Sequence, residues 1–289
     1  MNAYGNLADI LLFTDGPAEA LELLSAGVAF GDQRGIVFKA RWIEAETLWA
    51  LADLGRWDDV LDVGKRLIRW DDEFGGSQIG VIARISTADI LARRGAVERA
   101  RVVVDEVLPQ ARSIGDEQVL APALVVAALC SEQEDRIEDV RALVEELGAV
   151  APASPLQASV VLPDAARLAT AAGFPELVGG LVARACLAQG ARVEAVLLTA
   201  RAVMAEHGRR IEEACALYTR AAEGWESRGH VPEYGHAQLG AGRCLVSVGR
   251  ASDALHPLET SRSVFADLGA TPLLREAEKL LGRTTAATG

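Results

Sequence analysis

The sequence predicts an all-α fold, a right-handed superhelical solenoid of about seven antiparallel helical hairpins that ends in a capping helix. Three observations predict it. A short helix-breaking segment, here called the breaker, recurs along the chain, and each copy is followed by a helix whose first turn carries acidic residues. Apolar residues follow helical spacing within each segment, as in the run from Ala100 to Ala111. No segment shows a strand pattern.

The repeat is defined by its breaker, which is usually a glycine. The second copy, Gly55-Arg56-Trp57-Asp58-Asp59-Val60, shows the pattern: the glycine closes helix A of a hairpin, and acidic residues open helix B. Glycine adopts a left-handed backbone without a steric penalty, and acidic residues in a first turn meet the positive end of the helix dipole. Successive copies lie 35 to 41 residues apart and begin at Gly16, Gly55, Gly95, Asp135, Gly173, Gly208 and Gly249.

Each hairpin has an apolar face too wide to bury alone, so neighbouring hairpins are expected to stack. The predicted helices A cover 2–14, 36–54, 77–94, 117–134, 156–172, 191–207 and 232–248, and the predicted helices B cover 17–30, 57–73, 97–114, 136–149, 174–188, 210–228 and 251–268. Thr271-Pro272 begins the capping helix, because threonine suits an N-cap and proline the first helical position. We expect one domain over 1–283, a bend near 150–156 and a disordered tail over 284–289.

Composition and charge disfavour several classes of function for this protein. Half of the 289 residues are hydrophobic and the formal net charge is −12, which disfavours direct binding to nucleic acid or anionic lipid. No stretch of 18 apolar residues free of charge and no signal peptide are present, so we expect a cytoplasmic protein. The four cysteines show no CxxC spacing and are expected to be reduced and buried; they are Cys130, Cys186, Cys215 and Cys244.

The chain resembles tetratricopeptide-repeat proteins in the positions of its small residues. In the first unit, Asn6-Leu7-Ala8, Leu11, Ala20 and Gly27 match the family pattern. A small residue recurs in the middle of helix A at Ala88, Ala128, Ala166 and Gly242, and the pattern fails at Leu48 and Arg201. The resemblance covers nearly the whole chain and implies a stacked helical array, although the period near 40 residues exceeds the usual 34.

A narrower resemblance comes from the ends of the helices B, which read Phe30-Gly31-Asp32, Ser113-Ile114-Gly115-Asp116 and Phe265-Ala266-Asp267-Leu268-Gly269-Ala270. They are similar to the arrays that follow the ATPase module in maltose-activator-like, LuxR-type transcription factors and in ATPase-fused nucleotide cyclases. The resemblance implies a sensor or docking array of a bacterial signalling regulator. The chain starts on a helix A without a polar cap, so we expect it to be the tail of a regulator with an upstream ATPase domain.

A search for catalytic motifs favours binding over catalysis. The phosphate-binding, dinucleotide-binding, nucleophile-elbow and zinc-protease motifs are absent, so we predict no catalytic residue, metal or cofactor. Asp58-Asp59-Val60-Leu61-Asp62 spells the DDxxD of magnesium-dependent prenyl-transferring enzymes, but it lies where other repeats begin helix B. His207 and His230 are expected in exposed turns, and His230 and His236 with Glu233 form only a weak metal candidate.

The predicted binding surface is the concave groove that the helices A line. Aligning the repeats places Asp9, Trp49, Asp89 and Arg243 at matching positions, and one helix face carries Trp42, Glu46, Trp49 and Asp53. Exposed tryptophans beside acids would suit an apolar or basic protein or peptide partner. The alternative is that both tryptophans pack between hairpins.

The leading functional hypothesis is therefore a protein-interaction module that acts as the sensor or docking array of a signalling regulator. The second hypothesis is a helical domain that senses a small molecule inside the superhelix. A magnesium-dependent all-helical prenyl-transferring enzyme is the third.

Overall fold

Fifteen α-helices and one short 3-10 helix form the regular structure of the described residues. The computed structural model describes residues 1–14, 16–150 and 154–288, and these ranges contain no strand. The odd-numbered helices are α1 (Asn2–Thr14), α3 (Val37–Asp53), α5 (Gln78–Arg93), α7 (Glu117–Gln133), α9 (Pro155–Ala171), α11 (Ala191–His207), α13 (Val231–Ser247) and α15 (Thr271–Thr288). The even-numbered helices are α2 (Pro17–Gln33), α4 (Trp57–Phe74), α6 (Val97–Ile114), α8 (Ile137–Val150), α10 (Gly179–Ala185), α12 (Ile211–Glu226) and α14 (Ala251–Leu268).

Consecutive helices pack against each other along the array, which confirms the predicted all-α, solenoid-like architecture. The residues expected at close helix contacts are buried, including Ala88, Ala128 and Ala166. Gly242 shows why these positions stay small: a Cβ there would lie 2.5 Å from Cδ2 of Leu258 on the neighbouring α14. Only a residue without a side chain lets the two helices approach so closely.

The turns between helices use left-handed backbone, as the breaker pattern predicts, but not always at the expected residue. Gly55 and Gly249 have φ values of 73° and 78°. In the sixth hairpin the left-handed residue is Arg209, with φ of 61°, whereas the predicted breaker Gly208 has φ of −74°. Helix α11 ends at His207, as predicted, but Gly208 takes the C-cap position, so the left-handed residue falls one position later than predicted.

The fifth hairpin departs most from the prediction. The expected continuous helix over 174–188 is instead a 3-10 helix, Pro175–Val178, followed by the seven-residue α10, Gly179–Ala185. Proline lacks the backbone N–H, and the glycine pair Gly179-Gly180 has low helix propensity, so a regular helix is disfavoured here. Residues 151–153, within the predicted bend, lie outside the described residues.

The C-terminal helix begins at Thr271, as predicted, and continues to Thr288. It therefore extends beyond residue 283, where the sequence placed the end of the domain and the start of a disordered tail. Gly289 lies outside the described residues.

Two expectations about burial are wrong. Cys186 is exposed, because α10 ends at Ala185 and the cysteine falls in the following turn; Cys130 and Cys244 are buried, and Cys215 is half-buried. His230 was expected in an exposed turn but is only 1% exposed, since its ring packs edge-on against Trp225.

The array curls until its first helices touch its last ones. Helix α1 contacts α11, and α3 contacts α13. Nη1 of Arg228 donates to the carbonyl oxygen of Thr14 at 3.3 Å, and Nε of Arg94 donates to the carbonyl oxygen of Leu268 at 3.0 Å. We call these contacts between distant hairpins the seam. The odd-numbered helices from α1 to α13 face a common interior, the lumen.

Candidate functional site

The lumen contains a cavity of about 310 Å³, here called the luminal cavity. Residues of α1, α3, α5, α7, α9, α11 and α13 line it, together with Trp57 and Trp225 from the outer helices. Its apolar wall includes Trp49, Ile82, Ile85, Pro122, Val126 and Val160. Cavities that combine an apolar wall with a few fixed polar groups are typical of small-molecule sites.

A chain of alternating acids and arginines, which we call the polar belt, crosses the lumen. Arg93 of α5 donates through Nε to Asp89 at 2.8 Å and through Nη2 to Asp164 of α9 at 2.7 Å. Arg167 then donates through Nη2 to Asp164 at 2.8 Å and through Nη1 to Glu233 of α13 at 3.0 Å. The belt therefore connects three helices that are not neighbours in sequence, and four of its members line the cavity, namely Asp89, Arg93, Asp164 and Glu233.

The two aspartates of the belt have different protonation tendencies. Burial alone would raise the pKa of Asp164, but the guanidinium groups of Arg93 and Arg167 hold it well below its usual range. Asp89 is bound by Arg93 alone, and burial raises its pKa above the usual value despite that contact. Of the two aspartates, Asp89 is thus the one whose negative charge the arginines neutralise less fully.

Asp53, at the end of α3, forms a second polar connection across the lumen. Its Oδ2 lies 3.0 Å from Nη1 of Arg192 on α11 and 3.3 Å from Nδ1 of His230, just before α13. Burial would raise the pKa of Asp53, but these two partners hold it below its usual range. Arg192 also places its guanidinium 5.4 Å from the ring centroid of Phe13 on α1.

Three of the sequence-predicted site residues line the luminal cavity. Asp9, Trp49 and Asp89 come from α1, α3 and α5, and the structure brings them to the same space. Trp49 is half-buried. It lines the cavity, as the groove prediction expects, and it also packs against the hydrophobic core, as the alternative expects.

Trp42 and Glu46 form a pair beside the cavity but do not line it. Nε1 of Trp42 donates to Oε1 of Glu46 at 2.7 Å, one helical turn along α3. Oε2 of Glu46 is buried and accepts no hydrogen bond within the described part of the chain. Burial, followed by the negative charge of Asp9, raises the pKa of Glu46 to about 7.

Arg243, the sixth predicted residue, lies in a separate ionic cluster. It donates through Nη2 to Glu206 of α11 at 2.7 Å and through Nη1 to Glu276 of α15 at 2.8 Å. Tyr218 Oη also donates to Glu206, at 2.8 Å. Arg243 is not among the residues that line the cavity, so the structure does not join it to Asp9, Trp49 and Asp89.

Sequence reasoning missed four residues of the polar belt and of the Asp53 connection, namely Arg93, Asp164, Arg167 and Arg192, and it named Glu233 only beside two histidines as a metal candidate. Part of the signal was present, because Asp89 with Arg93 and Asp164 with Arg167 are local pairs at helical spacing. The pairing of Arg93 with Asp164, 71 residues apart, has no local signal.

The acidic DDxxD segment lies at the first turn of α4, where the repeat pattern placed it. Asp58 is 87% exposed and pairs with Nη1 of Arg94 at 2.8 Å, and Asp59 pairs with Nε of Arg56 at 2.7 Å. Among residues 1–14, 16–150 and 154–288, no three His, Cys, Asp or Glu side chains are grouped so as to hold a metal ion. His236 packs edge-on against Phe265 instead.

No protein-family model matches the chain, and no curated protein sequence matches it either. Within the described part of the chain, none of the helices combines the length and apolar character needed to span a bilayer.

Proposed function

We propose that this protein is a binding module whose luminal cavity holds a small organic molecule. One observation carries the proposal: the curled array forms a partly open cavity of about 310 Å³ that is lined by both apolar side chains and the half-buried polar belt. That volume lies at the lower end of the range found for small-molecule sites, roughly 300–1,000 Å³. Buried polar groups in such a wall would orient a ligand, and the apolar side chains would desolvate it.

The same geometry favours a small molecule over a helical partner inside the lumen. A helix with its side chains is about 10–12 Å across and needs a continuous open groove. Here Arg93 and Arg167 of the polar belt bridge opposite sides of the lumen, and the seam closes the array. A folded partner would have to break these half-buried ionic contacts to enter.

The experiment compares two tryptophan substitutions in a screen for ligands. Ser86 lies on α5 and lines the cavity, so Ser86→Trp places a large side chain inside it. Val102 lies on α6 and is 70% exposed, so Val102→Trp adds the same side chain outside. The melting temperature of each protein is measured against a library of organic compounds small enough for the cavity.

We expect compounds that raise the melting temperature of the natural sequence and of Val102→Trp but leave Ser86→Trp unchanged, because a ligand that binds only the folded state stabilises it. A library without stabilising compounds, or compounds that stabilise Ser86→Trp equally, would contradict luminal binding. Circular dichroism of each variant confirms that the helices are retained.

A second candidate function, docking of a protein partner, is favoured by an aromatic cluster in which the exposed Phe38 and Phe74 flank the half-buried Trp70. The ring centroids of Trp70 and Phe74 are 4.8 Å apart, and Phe38 lies 6.1 Å from Trp70. Phe74 is 62% exposed and Phe38 is 43% exposed, which is unusual for large aromatic side chains. Clustered exposed aromatics are a common feature of protein interfaces.

Affinity capture tests the second candidate with the double variant Phe38→Ser/Phe74→Ser. We expect it to lose a protein that the natural sequence retains and to keep its melting temperature within a few degrees. The control is Leu187→Ser, which removes an exposed apolar side chain elsewhere on the molecule. If the natural sequence, the double variant and Leu187→Ser all retain the same partner protein, that result would argue against docking at the aromatic cluster.

We further infer that the array is of the tetratricopeptide type and serves as the sensor or docking arm of an ATPase-linked bacterial regulator. The small-residue positions, the buried Ala88 and Ala128 among them, support the first part. The resemblance of the helix ends to such arrays supports the second. Binding of a separately purified regulator ATPase domain, altered by a luminal ligand, would test it; no change in that binding would count against it.

A further inference from the structure

We propose that the ligand of the luminal cavity is an organic cation, an amine with an apolar body. This inference rests on the proposed binding of a small molecule in the cavity and adds its chemical class. Three features support it: the charges that line the cavity, the hydrogen-bond partners those charges already have, and the aromatic wall.

Carboxylates outnumber guanidinium groups around the cavity. The lining contains five carboxylates and two guanidinium groups, namely Asp9, Asp53, Asp89, Asp164 and Glu233 against Arg93 and Arg192. Arg167 of the polar belt adds a third cation, which still leaves an acidic excess. Walls of low dielectric focus the field of such an excess, so the cavity attracts cations and disfavours anions.

The arginines that line the cavity already have carboxylate partners. Arg93 donates from Nε to Asp89 and from Nη2 to Asp164. Arg192 donates from Nη1 to Asp53, and its Nε is buried without a hydrogen-bond partner among the described residues. An anionic ligand would have to displace one of these carboxylates to gain a cationic partner.

Several carboxylates, by contrast, keep acceptor capacity. Asp9 makes no hydrogen bond or ion pair within the described part of the chain. Asp53 uses Oδ2 for both of its contacts, with Arg192 and His230, which leaves Oδ1 as an acceptor. Asp89 has Arg93 as its single cationic partner. A ligand that fits this arrangement supplies N–H donors, as an ammonium group does.

One aromatic side chain supports the same class of ligand. Trp49 is half-buried and lines the cavity, so its ring is available to a cation, and tryptophan is the best aromatic partner for one. His230 is 1% exposed and helps to hold the cavity wall in place, because its Nδ1 lies 3.3 Å from Oδ2 of Asp53 and its ring packs edge-on against Trp225.

The experiment uses matched probes that share one skeleton and differ in the charge and chemistry of their polar group. Aromatic and aliphatic primary amines, for example 2-phenylethylamine, are compared with the carboxylic acid and the alcohol of the same skeleton by isothermal titration calorimetry. We expect amines to bind at least tenfold more tightly than their acids and alcohols. We expect Asp89→Asn to weaken amine binding about tenfold and Asp9→Asn about threefold, in line with the loss of one close charge contact.

Asp58→Asn serves as the matched control, because it makes the same chemical change at an 87% exposed side chain outside the cavity. Its amine affinity should equal that of the natural sequence. Asp9 has no ionic or hydrogen-bond partner to lose among the residues that the structure describes, so Asp9→Asn tests the cavity charge even if Asp89→Asn disturbs the polar belt.

The outcomes separate this inference from the proposed function. Acids or alcohols that bind as tightly as the amines, with binding abolished by Ser86→Trp, would overturn the cationic class and keep luminal binding. A panel in which no amine binds better than its matched acid and alcohol would overturn the inference as well. Amine binding that persists in Ser86→Trp would place the site elsewhere and reject both.

Discussion

Asp53 and Arg192 are 139 residues apart in the chain, yet Nη1 of Arg192 lies 3.0 Å from Oδ2 of Asp53. Asp53 ends the first helix of the second hairpin, and Arg192 begins the first helix of the sixth. Their contact exists only because the array curls by one turn between them. The pair joins the two sides of the lumen and contributes a carboxylate to its cavity.

Replacing Asp53 should weaken the curled array strongly. Asp53→Asn leaves the Arg192 side chain, which is only 10% exposed, without its charged partner. We expect the free energy of unfolding at pH 7 to fall by about 3 kcal/mol, since removing one member of a buried ion pair strands the other. Urea denaturation followed by circular dichroism measures the change.

The control for this prediction is Asp58→Asn, which breaks an exposed pair with Arg94 and should change stability by less than about 1 kcal/mol. The pKa of Asp53 is held below its usual 3.8, so its stabilising contribution is present above about pH 4 and is lost as the pH falls. Asp53→Asn and the natural sequence should therefore converge in acid. Equal losses for both variants at pH 7 would contradict the prediction.

Glu46 should make stability fall as the pH rises towards neutrality. Its pKa is raised from 4.5 to about 7, so the folded protein holds a proton that the unfolded chain releases at lower pH. Stability from this group is complete below about pH 4.5 and is lost by pH 7 to 8, by up to about 3 kcal/mol. Glu46→Gln cannot ionise and should be the more stable protein at pH 8.

The measurement is the free energy of unfolding of Glu46→Gln and the natural sequence at pH 4.5 and pH 8. The difference between them should grow with pH. Glu22→Gln on α2 removes an exposed carboxylate and should show no such growth. A difference for Glu46→Gln that stays constant across this range would refute an ionisation near neutral pH.

Replacing Arg209 with glycine should stabilise the folded protein. Its φ of 61° places a side chain in left-handed backbone, which costs about 1–2 kcal/mol for a residue other than glycine. Glycine removes that strain but has a larger entropy loss on folding, so we expect Arg209→Gly to raise the free energy of unfolding by up to about 1 kcal/mol. Thermal and urea denaturation measure the gain.

The reverse change at the equivalent turn of the seventh hairpin is the matched test. Gly249 has φ of 78°, and no atom lies within 4 Å of the position that a Cβ would take, so Gly249→Ala introduces strain without a clash. We expect it to lose about 1 kcal/mol of stability. The two variants should change the free energy of unfolding in opposite directions. A lower free energy of unfolding for Arg209→Gly would mean that the arginine side chain stabilises the turn.

The exposed and the buried cysteines should differ in how fast their thiols are alkylated. Cys186 is exposed, whereas Cys130 and Cys244 are buried, and burial raises the pKa of their thiols to about 11 and about 12. Because the thiolate is the reactive form, we expect Cys186 to be alkylated first and Cys130 and Cys244 only on unfolding. Mass spectrometry of iodoacetamide-treated protein measures the order, and Cys186→Ser should remove the fast phase.

The sequence by itself determined the helices and their order. The predicted bounds 97–114, 191–207 and 251–268 coincide with α6, α11 and α14, because glycine turns, first-turn acids and apolar spacing act within a few residues. The exceptions are local too: Pro175 and the glycines after it shorten the fifth hairpin, and Arg209 takes the left-handed position beside Gly208.

Only the tertiary structure decided how the polar groups meet. The repeat alignment placed Asp9, Trp49 and Asp89 on one face, and all three line the cavity. It could not predict that Arg93 reaches Asp164 or that Asp53 reaches Arg192, since these contacts depend on small rotations that accumulate from hairpin to hairpin. Local residue patterns fix each hairpin, whereas the curl of the whole array sets the cavity and its charges.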